Sequence, residues 1–125
     1  MAKIILIVDD DPDDLSAFCE AAGDSGLPVK CIECSDPILA RQILLMTVPD
    51  VVFIDINMPA YNGYELLKDI RSDEKLADLP VAMLSTAMDD KTSDLLKTMG
   101  ARFTLRKPTT YRGYIELLHH VFKDI

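Results

Sequence analysis

The stretch Ile4-Ile5-Leu6-Ile7-Val8-Asp9-Asp10-Asp11 decides the fold. Five apolar residues run without a polar break into three aspartates. A strand buried on both faces reads this way, as in a parallel sheet covered by helices. The run is too short for the apolar region of a secretion signal or for a membrane span. The same pattern recurs at Val51–Ile54 and Val81–Leu84, which lead into Asp55 and Ser85. Two mixed segments complete the set, so strands are expected at Lys3–Val8, Val29–Cys34, Val51–Asp55, Val81–Ser85 and Arg102–Arg106. Arg102, Thr104 and Arg106 alternate with Phe103 and Leu105, which suits an edge strand.

Helical segments lie between and after these strands. Leu15, Phe18, Cys19 and Ala22 form an i, i+3, i+4, i+7 stripe, with Gly23 and Gly26 expected to end the helix. Asp36-Pro37 reads as an N-cap followed by a first-turn proline. The helix it starts carries Ile38, Leu39, Ile43 and Met46. Leu66, Leu67 and Ile70 mark a third helix, and Leu95, Leu96 and Met99 a fourth, closed by Gly100. Thr109 or Thr110 caps a fifth, with Tyr111, Tyr114, Ile115, Leu118 and Val121 or Phe122 as its stripe. Five strand-then-helix units in 125 residues imply one doubly wound α/β domain spanning 1–125.

Thirteen basic residues against 21 acidic ones give a net charge of -8. Residues 1–60 carry 11 acids and 3 bases, hence all of the -8, and five of those acids are Asp9, Asp10, Asp11, Asp13 and Asp14. This balance argues against nucleic-acid and anionic-membrane partners. The 49% apolar fraction argues against a disordered acidic tail. The three cysteines give no disulfide framework. Cys31 and Cys34 fall on opposite faces of a strand, with α-carbons about 10 Å apart, too far for a bridge. Buried thiols in a reduced, cytoplasmic protein are expected.

In open α/β sheets the ligand site lies beyond the carboxyl ends of the strands. There this chain places Asp9, Asp10 and Asp11, then Asp55, then Ser85 and Thr86, then Lys107-Pro108. Crowded carboxylates repel one another, and a bound cation relieves this. An all-oxygen site with few protein ligands suits Mg²⁺. A lysine and a hydroxyl opposite could take phosphoryl oxygens. The constellation points to phosphoryl transfer onto a carboxylate, with Asp55 as nucleophile.

In these motifs the chain resembles the receiver domains of two-component response regulators. They are Asp9-Asp10 after an apolar strand; Asp55-Ile56-Asn57-Met58-Pro59 with Gly63 beyond; Leu79-Pro80 before a strand ending at Ser85; and Lys107-Pro108. The resemblance covers the whole chain and implies a flavodoxin-like sheet of order 2-1-3-4-5 with five helices. It implies that Asp55 accepts phosphate from the phosphohistidine of a sensor histidine kinase or phosphotransfer protein. Asp10 would bind Mg²⁺ directly, Asp9 through water, and Asn57 by its backbone carbonyl. Ser85 would hydrogen-bond the phosphoryl group, with Thr86 as alternative hydroxyl, and Lys107 would pair with it. The Lys107-Pro108 bond would be cis. Asn57 and Ala87 would tune dephosphorylation. The output would be switched contacts with a downstream protein, and no turnover of a separate substrate.

One departure concerns position 104, where many receivers carry Tyr or Phe. Here it is Thr104, and Phe103 points to the opposite face by strand alternation. Asp13 and Asp14 read as acids favoured in a first helical turn, and His119 and His120 as surface residues. The mixed-charge face of Lys91, Lys97, Arg102, Arg106 and Arg112 is the expected output surface. Two rival readings are a pseudo-receiver that binds without being phosphorylated, and a phosphatase of the haloacid-dehalogenase type. The first usually lacks one of the acids, the hydroxyl or the lysine. The second needs an aspartate where this chain has Asn57.

Overall fold

The computed structural model describes residues 2–58 and 62–125, so Pro59 of the Asp55–Pro59 motif lies outside the described residues. Five strands, β1 (Lys3–Val8), β2 (Val29–Cys34), β3 (Val51–Asp55), β4 (Val81–Ser85) and β5 (Phe103–Arg106), form one parallel sheet of order β2-β1-β3-β4-β5. The helices are α1 (Pro12–Asp24), α2 (Pro37–Met46), α3 (Gly63–Ser72), α4 (Asp90–Thr98) and α5 (Tyr111–Phe122). The doubly wound, flavodoxin-like reading of the sequence is therefore what the chain adopts. β3 and β4 are buried at every position, while the edge strands β2 and β5 are mixed.

Period-2 alternation splits the core into two layers. Leu6, Val8, Val52, Ile54 and Met83 face α2, α3 and α4, where they meet Leu44, Leu66, Leu67, Ile70 and Leu96. Ile5, Ile7, Phe53 and Leu84 face α1 and α5, where they meet Leu15, Phe18, Tyr114 and Leu118. Each of these large side chains contributes about 1.5–3 kcal/mol by leaving water. At the amino-terminal end of the sheet, Arg71 at the end of α3 donates to four carbonyls: Gly100 (2.9 Å), Leu76 (3.1 Å), Ala77 (3.3 Å) and Leu79 (2.8 Å). Gly100, at φ 105°, allows this approach, because a Cβ there would meet the Arg71 side chain at 2.8 Å.

Several details differ from the sequence reading. Helix α1 runs through Gly23, and only Gly26, at φ 80°, takes the left-handed conformation of a helix-ending turn. Strand β5 starts at Phe103, one residue late. In α2 the buried residues are Pro37, Ala40 and Leu44, while Ile38, Leu39 and Met46 face solvent. Leu117, not Tyr111, belongs to the buried stripe of α5.

The cysteine expectation is also corrected. Cys31 and Cys34 do lie on opposite faces, Cys31 with the α1/α5 layer and Cys34 with the α2–α4 layer. But Cys19 of α1 is disulfide-bonded to Cys31, with α-carbons 5.6 Å apart. Both belong to the packing layer between β2 and α1, which brings half-buried thiols within bridging range. Only Cys34 is a free buried thiol, and burial pushes its pKa up, away from reactivity. Among the described residues no helix is long and apolar enough to cross a membrane.

Candidate functional site

Among the described residues, four of the five buried polar or charged ones, Asp9, Asp55, Ser85 and Lys107, lie at the carboxyl ends of β1, β3, β4 and β5. The sheet itself assembles them. Asp9 donates its N–H to Cys34 (3.1 Å), Ile56 to Leu84 (2.9 Å) and Lys107 to Ser85 (2.9 Å), so the ladder continues one step past each strand into the site. Gly63 makes room behind Asp55: a Cβ there would come within 2.7 Å of the Asp55 carbonyl oxygen.

Carboxylate oxygens of Asp9, Asp10 and Asp55 all lie within 4.8 Å of one another. Asp9 and Asp55 are buried and Asp10 is exposed, so the cluster opens to solvent on the Asp10 side. Three hard oxygen donors at this spacing fit a divalent cation such as Mg²⁺ that keeps part of its water shell. Asp9 and Asp55 also share Lys107, whose Nζ is 2.7 Å from Asp9 Oδ2 and 3.5 Å from Asp55 Oδ2. Burial pushes the Asp9 pKa up, against the opposing pull of Lys107. For Lys107, burial alone would lower the pKa, but hydrogen bonds to Asp14 and Asp9 and the nearby Asp55 charge outweigh it and raise it. The lysine is therefore a fixed ammonium across the neutral range.

Ser85 supplies the hydroxyl. It is buried, and its Oγ accepts from the Ala87 N–H at 3.2 Å and from Asn57 Nδ2 at 3.4 Å. Asn57 N–H in turn donates to Asp55 Oδ1 at 3.2 Å. Thr86, the alternative hydroxyl, is exposed. Asp11 is the N-cap of α1, accepting from the N–H groups of Asp13 (2.9 Å) and Asp14 (3.4 Å), and its own N–H donates to Asp9 Oδ1 (3.0 Å).

Two findings depart from expectation. The Lys107–Pro108 bond is trans, as no described peptide bond is cis; the trans form is the intrinsically preferred one even before proline. And Asp14, read as a simple first-turn acid, is an ion-pair partner of Lys107 at 2.6 Å. Its position four residues before Phe18, on the buried stripe of α1, was the available signal. Phe103 packs in the α1/α5 layer, with its ring 6.4 Å from that of His120, while Thr104 Oγ1 is hydrogen-bonded to Ser93 of α4. The aromatic and hydroxyl side chains of β5 thus take opposite faces, as strand alternation requires.

The sequence matches the model of the family described as "Response regulator receiver domain" over residues 5–119. It is 34% identical over 121 residues to Protein RcaC of Microchaete diplosiphon, covering 97% of this chain but 18% of that protein. It is 34% identical over 125 residues to Protein PilH of Pseudomonas aeruginosa, covering 97% of this chain and 98% of that one. It is 26% identical to the phosphate regulon transcriptional regulatory protein PhoB of the same organism, of which it spans 53%. The chain thus spans about a fifth and about half of two of these relatives and nearly all of the third. Among solved structures, chemotaxis protein CheY4 of Vibrio cholerae superposes with a TM-score of 0.83 at 26% identity, covering 97% of this chain and 99% of that one. A receiver protein N-terminal domain from Methanoculleus marisnigri superposes with a TM-score of 0.78 at 27% identity, over the full length of both.

Proposed function

The chain belongs to the response regulator receiver domain family of two-component signalling, and from that premise we propose that it is a phosphoacceptor switch with Asp55 as the acceptor. A carboxylate oxygen of Asp55 attacks the phosphorus of a phosphohistidine on a sensor kinase or phosphotransfer protein. The P–N bond breaks, and the imidazole leaves with the bond's electron pair and gains a proton. The observation that carries this reading is the placement of Asp55. It is a buried carboxylate with an ammonium 3.5 Å away, shared with Asp9, and with the Asp9 and Asp10 oxygens within 4.8 Å. A nucleophile so placed meets the phosphoryl group with charge already arranged around it.

Lys107 takes one phosphoryl oxygen and the Ser85 hydroxyl another, which frees Ser85 from Asn57 and Ala87. Thr86 is the less suited hydroxyl because it is solvated. Asp9, Asp10, Asp55 and the Asn57 carbonyl would hold Mg²⁺, with Asp9 acting through water. When bound, the ion offsets the negative charge that the carboxylates and phosphoryl oxygens bring together. Asn57 and Ala87 both contact Ser85 Oγ beside Asp55, and their side chains would tune loss of the phosphoryl group.

The protein acts on itself and turns over no separate substrate. A rearrangement of Ser85 passes to α4 without a swinging ring at position 104, since Thr104 already joins α4 through Ser93. The downstream partner would be a protein meeting the α4–β5–α5 face. A cytoplasmic location accompanies this role, in which the domain meets kinase and partner. The test is incubation with Mg²⁺ and acetyl phosphate followed by intact-mass measurement. A gain of one phosphoryl group, lost in Asp55→Asn, is expected. No gain, or hydrolysis of phosphomonoesters with turnover, overturns the reading.

A further inference from the structure

Helix α2 carries the largest exposed apolar surface described. Ile38, Leu39, Leu45 and Met46 are 60%, 46%, 73% and 87% exposed, and Val48 just beyond the helix is 55% exposed. A row of such residues on one helix face is not the scattered apolar exposure of an ordinary surface. Their spacing shows what fits them. Leu39 and Leu45 lie three residues either side of Gln42, and Ile38 and Met46 lie four. Offsets of three and four share one helix face, so all four side chains surround Gln42. The face therefore reads almost the same in both directions along the helix.

We propose that this face is a self-association surface, at which two copies of the chain pair through antiparallel α2 helices about a two-fold axis at Gln42. Antiparallel pairing sets Leu39 against Met46 of the second copy and Ile38 against its Leu45, so that every apolar side chain meets an apolar one. The uncharged Gln42 sits at the axis, where two carboxamides satisfy each other. A two-fold contact demands this kind of self-complementarity.

Charge and area agree. The only charged residue of α2 is Arg41, which pairs with Asp69 of α3 at 3.6 Å at the rim. Six of the acids behind the -8, Asp9, Asp10, Asp11, Asp13, Asp14 and Asp55, lie at the carboxyl ends of the strands around the site, and repulsion beyond about 8 Å is screened at physiological ionic strength. Wholly covered, the five exposed apolar side chains would remove about 600 Å² per copy and about 1,200 Å² for two, an upper bound at the lower end of a specific interface. A reversible dimer is the matching assembly. An anionic membrane is disfavoured, because α2 presents no row of basic residues beside its apolar face.

The test is the mass of the full-length chain in solution at about 100 µM, a concentration that populates dimers of micromolar affinity. Sedimentation velocity should give twice the monomer mass. Leu45→Glu/Met46→Glu, and separately Ile38→Lys, should give the monomer mass with unchanged far-UV circular dichroism and unchanged phosphorylation by acetyl phosphate. Gln42→Cys should oxidise to a covalent dimer several-fold faster than Arg112→Cys on α5. A monomeric wild-type chain overturns the proposal, as does a dimer that survives both sets of substitutions. So does binding to phosphatidylcholine vesicles, lost in the double variant, without a dimer in solution.

Discussion

The Lys107 ammonium is held at 2.6 Å by Asp14, a residue of the first turn of α1. A phosphoryl group on Asp55 must draw the lysine toward itself and away from that partner. Asp14 is one third exposed, so the pair is worth about 1 kcal/mol after solvent screening. Asp14→Asn should therefore favour the phosphorylated state about fivefold, read as a longer half-life of the acyl phosphate or a higher steady-state fraction in acetyl phosphate. A shorter half-life would mean that Asp14 positions the lysine rather than competing for it.

Removing the lysine leaves Asp9 and Asp55 facing each other without a counter-charge. Lys107→Met should destabilise the fold by about 3–5 kcal/mol at neutral pH, measured by urea unfolding without divalent ions. Because the folded-state pKa of Lys107 is raised, its contribution is complete below the usual lysine range. It declines as pH rises through about 10.4 and beyond. The gap between wild type and variant should accordingly be flat from pH 6 to about 9 and narrow above that.

A divalent cation should stabilise the chain by binding the folded state alone. At a Mg²⁺ concentration about 100-fold above its dissociation constant the gain is about 2.7 kcal/mol. That is a rise of about 10 °C in melting temperature for a domain of this size. Chelation should reverse it, and Asp9→Asn/Asp10→Asn should abolish it. A rise that persists in the double variant would place the cation elsewhere.

At Gly63 there is no room for a methyl group. The added Cβ would lie 2.7 Å from the Asp55 carbonyl oxygen and 2.9 Å from the Ile56 α-carbon, both main-chain atoms that cannot turn aside. Gly63→Ala should cost about 1–3 kcal/mol in urea unfolding and slow phosphorylation by displacing Asp55. An unaltered phosphorylation rate would show that β3 absorbs the shift.

The Cys19–Cys31 bridge closes a short loop, with a sequence separation of 12. Reduction should lower stability by about 3 kcal/mol, seen as a shifted urea midpoint on adding a thiol. Cys31→Ser should show the lower midpoint with or without thiol. In a reducing compartment the chain would occupy this less stable form.

The strands were legible because burial on both faces leaves an uninterrupted apolar run, as at Ile4–Val8 and Val81–Leu84. Asp9, Asp55 and Ser85 were legible because each terminates such a run, and Lys107 because it precedes Pro108 at the end of the mixed edge strand. The inward face of Asp14 was legible from Phe18, but its partner was not, since Lys107 is distant in sequence and only the folded sheet brings them together. The orientation of α2 was not either. Apolar residues ring that helix, so Ile38, Leu39 and Met46 define a stripe as well as Ala40 and Leu44 do, and periodicity cannot choose the inner face. The disulfide was missed because the tested pair was local, whereas the bridge joins a helix to a strand placed beside it by the sheet order.

Arg71 gives the molecule mechanical polarity. Its guanidinium ties the end of α3 to the segment entering β4 and to the turn entering β5, all at the end of the sheet opposite Asp55. β4 is thus tied to α3 at its start, while at its finish Ser85 is held by the Lys107 N–H on its carbonyl and by Asn57 and Ala87 on its Oγ, the bonds a phosphoryl group would compete for. Displacements of Ser85 and α4 then resemble the swing of a lever about a fixed base rather than a sliding of whole strands. Small movements at the phosphoryl site would grow along α4 and leave the clamped end still.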